Sequence, residues 1–170
     1  KNKIKIMAKG DVSIAYNPYN SLPTLTCLVE DYTTSSDTQI LAGEPVKLSA
    51  EGGNNVVHLA TGDPEYGTDI VFGIAASDDT ATTTVDGTVK VYAPLPGIIY
   101  KCKATTPANL ATGIMYDCVT FDLTGTTYTV DEDEGSDENV HGLRIVDYDA
   151  VTGDVFFEIK GCVTRYDDLV

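Results

Sequence analysis

The segment Asp131-Glu132-Asp133-Glu134-Gly135-Ser136-Asp137-Glu138-Asn139 gathers the chain's densest set of groups that could do chemistry. Oxygen-bearing side chains alternate at Asp131, Asp133, Asp137 and Asn139, an arrangement by which a loop can surround a hard divalent cation. An EF-hand loop places glycine sixth and a bidentate glutamate twelfth. Here Gly135 is fifth, and His141 and Gly142 stand eleventh and twelfth, so the match fails. An acidic run between two strand-like segments is ordinarily a solvated loop, so no metal ligand is assigned and no cofactor is expected. Calcium calorimetry with no heat and no change in melting would confirm that reading.

Nucleophilic and general-base chemistry finds even less. The two histidines are His58, inside the strand-like Val56-Val57-His58-Leu59, and His141, beside a turn glycine. Neither stands near a nucleophile in sequence. G-x-S-x-G, H-E-x-x-H, a lysine-bearing phosphate loop and a dinucleotide fingerprint are all missing from the sequence, so the expectation is a protein that is not an enzyme and has no catalytic residues.

A different pattern lies at the start of the chain. Lys1, Lys3 and Lys5 alternate with Asn2, Ile4 and Ile6, so an extended backbone puts the charges on one face and both isoleucines on the other. Residues 1–9 carry four lysines and no acid, and the rest carries the other seven basic residues against 26 acidic ones; +4 and −19 give the net −15. A body so acidic repels phosphate backbones, and the short arm offers few contacts, so nucleic acid is not an expected partner. No apolar run approaches the roughly 20 residues that cross a bilayer, and no membrane partner is expected either. The lysine-rich start lacks the apolar core of a secretion signal. The arm therefore reads as an attachment strand, with a solvated terminus as its plain alternative.

Ten tyrosines stand beside four phenylalanines and no tryptophan. Most serve core and edge packing on this reading. Tyr16 and Tyr19, in the turn-rich Ala15-Tyr16-Asn17-Pro18-Tyr19-Asn20 just behind the arm, suit a half-wet contact with a partner. The candidate partner-binding set is thus Lys1, Lys3, Ile4, Lys5, Ile6, Tyr16 and Tyr19.

These residues need a scaffold, and strand signals recur about every ten residues: 24–29, 45–48, 56–59, 70–75, 88–92, 98–103, 115–122, 127–130, 143–148, 155–160 and 162–166. Between them stand turn residues such as Gly43-Glu44-Pro45, Gly62-Asp63-Pro64 and Asp86-Gly87, and a hairpin is expected across Asp149–Asp154. No window carries an amphipathic helix of three turns; residues 107–111 suit a single turn. The pattern predicts an all-β protein, a barrel or sandwich of many short antiparallel strands behind an extended N-terminal arm of residues 1–20. Pro94-Leu95-Pro96-Gly97 either divides the body of residues 21–170 into small lobes 21–96 and 97–170 or sits at the edge of one continuous barrel. Cys27, Cys102, Cys118 and Cys162 lie among apolar or β-branched neighbours without a C-x-x-C pair and are read as free core thiols.

Four stretches bear a family likeness in order and pattern: Leu22-Pro-Thr-Leu-Thr-Cys-Leu-Val-Glu-Asp31, Ala42-Gly-Glu-Pro-Val-Lys-Leu48, Gly73-Ile-Ala-Ala-Ser77 leading to Asp86-Gly-Thr-Val-Lys-Val-Tyr92, and Leu143-Arg-Ile-Val-Asp-Tyr148 with its hairpin. In these the chain resembles the decoration, or cement, proteins of tailed-bacteriophage capsids. The resemblance implies a structural virion protein on the outer capsid surface, assembled in the host cytoplasm. It further implies that the protein binds the major capsid protein, reinforces contacts between its subunits and acts as a homo-oligomer, a dimer or trimer. It transfers no active-site residues. The alternative from another class is a non-catalytic extracellular ligand- or carbohydrate-binding β-module with tyrosines as its platform, which a glycan array would reveal.

Overall fold

The computed structural model describes residues 12–35, 39–49, 56–58, 71–93, 95–125, 127–133 and 142–159. Eleven strands fill this frame: β1 (Ser13–Tyr16), β2 (Thr24–Val29), β3 (Pro45–Leu48), β4 (Val56–His58), β5 (Val71–Ala75), β6 (Gly87–Tyr92), β7 (Ile99–Lys103), β8 (Cys118–Thr124), β9 (Thr127–Asp131), β10 (Leu143–Asp149) and β11 (Asp154–Ile159). One helical turn, α1 (Tyr32–Ser35), follows β2, and two 3-10 turns, Pro107–Asn109 and Thr112–Ile114, lie between β7 and β8. The protein is all-β, as the alternating apolar pattern predicts.

The strands form two antiparallel sheets, a five-stranded one in the order β2-β6-β5-β3-β4 and a six-stranded one in the order β1-β7-β11-β10-β8-β9. The change of sheet along the chain falls at the proline-rich segment before β7, except that β1 joins the later strands by pairing Ser13 with Lys101 and Ile14 with Tyr100. In the six-stranded sheet the period-2 pattern sets the faces: Tyr100 and Cys102 of β7, Val155, Phe157 and Ile159 of β11, and Leu143 and Ile145 of β10 point inward and are buried. Phe157 is the centre of this core, stacked on Tyr100 at 5.9 Å between ring centroids and met edge-on by Phe121 at 5.5 Å. Removing Phe121 and Phe157 from water contributes about 2–3 kcal/mol each.

This sheet curls until its last strand meets the continuation of β7. Ala104 forms a parallel bridge with Val130, and the Thr105 N–H donates to the Val130 carbonyl at 2.8 Å. The β10–β11 hairpin forms where the sequence predicts it. Gly153 takes the left-handed backbone at φ +72°, and Asp149 Oδ1 accepts the Val151 and Thr152 N–H groups at 2.9 and 3.3 Å.

The five-stranded sheet covers a second core built on Cys27, Val29, Ile40, Val46, Val89 and Val91. β5 belongs to both cores because Phe72 is an extra residue against β3: Val46 pairs with Gly73 and Lys47 with Val71. The bulge resets the alternation, so Ala75 and Phe72 pack into the second core while Ile74 and Val71 pack into the first. Gly73 is required there, since a Cβ would stand 2.4 Å from the Tyr92 carbonyl oxygen. Cys27, Cys102 and Cys118 are buried and not in disulfides, and Cys102 Sγ donates to the Tyr128 carbonyl at 3.3 Å.

Two sequence expectations shift in detail. Residues 115–117 form a turn before β8, with Tyr116 at φ +70°, so that strand starts at Cys118 and runs to Thr124. From Val12 onward, the segment read as the rear of an extended arm is part of the folded body.

Candidate partner-docking edge

Lys1, Lys3, Ile4, Lys5 and Ile6 lie outside the described residues, which begin at Val12. The described structure begins with the segment that follows them. Val12 is 2% exposed, and its N–H donates to the Gly43 carbonyl at 3.0 Å, tying the chain to the loop ahead of β3. β1 follows at once as the edge strand of the six-stranded sheet. An edge strand offers main-chain groups to an incoming strand, the geometry used when proteins bind by strand addition.

Tyr16 and Tyr19 end this segment. Tyr16 pairs with Ile99 across the ladder and is 56% exposed. A tight turn follows it: the Tyr19 N–H donates to Asn17 Oδ1 at 3.0 Å, and Asn17 Nδ2 donates to the Tyr19 carbonyl at 2.9 Å. The turn sends the Tyr19 hydroxyl to the Pro96 carbonyl, 2.9 Å away, while the residue stays 41% exposed. Sequence reasoning paired these tyrosines as partner anchors; the structure places Tyr16 at the end of β1 and Tyr19 in the turn that follows, and gives Tyr19 a further duty, fastening the end of β1 to the segment that enters β7.

Between β1 and the five-stranded sheet runs an apolar groove of 340 Å³, with Val12, Ile14, Leu22, Ile74 and Tyr92 among its walls. The loop after β5 supplies two acids that fix neighbouring segments, one of them at the groove wall residue Ala42. Asp78 accepts the Ala42 N–H at 2.9 Å. Asp79, 5% exposed, accepts the Tyr32 hydroxyl and the Ile40 N–H at 2.6 Å each and the Ala81 N–H at 3.0 Å. Asp79 escaped the sequence reading because its importance comes from partners 47 and 39 positions away.

The acidic run meets the described structure only at Asp131, Glu132 and Asp133. Asp131 Oδ1 accepts the Asp133 N–H at 3.2 Å, a local turn bond. Glu132 is 6% exposed and turned toward the β7 continuation, where Oε1 accepts the Thr106 N–H at 2.9 Å; Oε2 is buried with no partner. Among the described residues no group of three or more His, Cys, Asp or Glu side chains is arranged to hold a metal ion. Sequence composition marks Glu132 as one of several solvated acids; only folding separates it from its neighbours.

Tyr116 is a further feature that sequence did not single out. Its backbone is left-handed and its ring is 68% exposed, yet its N–H is fixed to the Ile145 carbonyl at 3.0 Å. Among the described residues no helix is long and apolar enough to cross a membrane. No protein-family model and no curated protein matches this chain.

Proposed function

We propose that this chain is a structural virion protein that binds the outer surface of a bacteriophage capsid and reinforces contacts between major capsid protein subunits. Attachment runs through the N-terminal segment: Ile4 and Ile6 are buried on the partner, Lys1, Lys3 and Lys5 face acidic capsid surface, and Tyr16 and Tyr19 contact the partner behind them. The observation that carries the reading is the mount. The alternating basic and apolar residues precede an edge strand whose first neighbour, Val12, is buried and hydrogen-bonded into the other sheet's loop. A strand-adding arm fixed to so stiff a base transmits load from partner to body, and many copies on one shell add modest affinities together. The net charge of −15 keeps a densely decorated outer face soluble.

The lysines govern encounter rate and salt sensitivity, whereas the isoleucines govern residence. Deleting residues 1–9 should abolish binding to undecorated capsids while leaving the melting transition in place. Undiminished binding of the truncated chain, measured by co-sedimentation with capsids, would refute the proposal. Homo-oligomerisation, as a dimer or trimer on the capsid, belongs to the same reading, and sedimentation of the bound and free chain measures it.

A further inference from the structure

The closure between β7 and β9 is made by the Ala104–Val130 bridge with its Thr105 N–H to Val130 carbonyl bond at 2.8 Å, the Cys102 Sγ to Tyr128 carbonyl bond at 3.3 Å, the Thr105 and Thr129 hydroxyls at 2.6 Å, and the Thr106 N–H to Glu132 Oε1 bond at 2.9 Å. Behind them lie Ala104, Leu110, Tyr128 and Val130, all buried, so opening this seam wets the main core. All but the last of these join neutral groups. The last joins a buried carboxyl that has one oxygen without a partner.

An ionised carboxylate in that position is held at a cost, because a buried anion needs all its acceptor sites occupied. Among the described residues, nothing opposite supplies a compensating charge. Thr105, Thr106 and Pro107, on the facing segment, carry none. Lys103, at the end of β7, is engaged by Asp154 and by the Thr152 carbonyl. On Glu132's own side, Asp131 adds a like charge and Asp133 is another acid. Burial is the largest influence; although the backbone N–H groups of Glu132 itself, Thr106 and Thr105 favour the anion, burial together with the Asp131 charge outweighs them and pushes the Glu132 carboxyl above the ordinary glutamate range.

We propose that Glu132 is a proton-controlled latch on the β7–β9 seam, closing the Thr105–Thr106 segment onto β9 when protonated and loosening it when ionised. The neutral acid keeps Oε1 as acceptor for Thr106 and removes the uncompensated charge. Opening the seam after ionisation returns water to the carboxylate, so the open state gains relative to the closed one as pH rises. The device is independent of what the N-terminal segment binds.

Amide hydrogen exchange on the full chain tests it, with protection factors corrected for the intrinsic pH dependence of exchange. Protection at Thr105 and Thr106 should fall several-fold as pH rises above the ordinary glutamate value of about 4.3 and through the higher folded-state value, while Val91 in the other sheet holds steady. In Glu132→Gln, which keeps an acceptor oxygen and removes the charge, protection at the seam should stay high and flat. A carbon-detected titration of the wild-type Glu132 carboxyl should give a midpoint above about 4.3. Superimposable seam profiles in the two proteins, or a midpoint at or below that value, would overturn the latch. A Glu132→Gln chain that fails to fold would also overturn it, because relieving a loaded charge must stabilise the closed state.

Discussion

Replacing Asp79 by asparagine should cost about 2–4 kcal/mol, and the figure follows from what the carboxylate holds. Oδ2 takes the Ile40 N–H, and Oδ1 takes both the Tyr32 hydroxyl and the Ala81 N–H. An asparagine keeps one oxygen. Its better placement keeps the two Oδ1 bonds and turns the amide NH2 toward the Ile40 N–H, a donor against a donor. That orphaned, buried N–H costs about 1–3 kcal/mol, and the two surviving bonds lose charge assistance worth about 1 kcal/mol in total. Asp79→Ala leaves all three donors unpaired and should cost more, about 4 kcal/mol or above. Ile40 leads into the loop whose Gly43 carbonyl holds Val12, so the loss reaches the N-terminal mount. Urea unfolding followed by tyrosine fluorescence should show a lower midpoint with an unchanged slope. Exchange at the Val12 amide should speed up beyond the global loss of stability. An asparagine variant within about 0.5 kcal/mol of wild type would refute the argument, since it would mean the three bonds do not depend on a second acceptor oxygen.

Tyr100→Phe should be neutral or stabilising by about 1 kcal/mol, because the Tyr100 hydroxyl is buried with no partner and its removal leaves the stack on Phe157 intact; a clear drop in melting temperature would contradict this. Asp154 answers to acid: burial opposes its charge, but hydrogen bonds from Lys103 and Thr152 and the Lys101 and Lys103 charges prevail and hold its carboxyl below the ordinary range. Its contribution is therefore present above the unfolded-state pKa and lost as pH falls through the lower folded value, and Asp154→Asn should flatten the acid limb of the stability curve below about pH 4. Glu132 has the opposite sign, its folded-state preference for the proton favouring the native state at low pH and fading as pH rises.

The strands were legible wherever one face is wet and the other dry. β6, β7 and β11 each alternate buried and outward residues, and the hairpin between β10 and β11 is written in Asp149 and Gly153. Legibility failed where an element broke its own period. Met115 and Tyr116 are apolar and aromatic yet turn with Asp117, where Tyr116 takes a left-handed backbone and its N–H donates to the Ile145 carbonyl. Phe72 likewise reads as an ordinary strand residue, and only its opposition to β3 makes it a bulge.

By itself the sequence determined the all-β class, the charge asymmetry and the exclusion of recognised catalytic motifs, since these rest on composition and on periods of two that neighbours along the chain carry. Its reading of Tyr16 and Tyr19 followed from their place in a turn-rich segment. Tertiary structure decided that β1 pairs with β7, that Tyr19 reaches the Pro96 carbonyl, that Asp79 collects three donors and that Glu132, among the described acids of its run, is the one on the seam. Each of those depends on residues far apart in the chain meeting at a few ångströms, and burial, which turns a common acid into a costly charge, exists only after they have met.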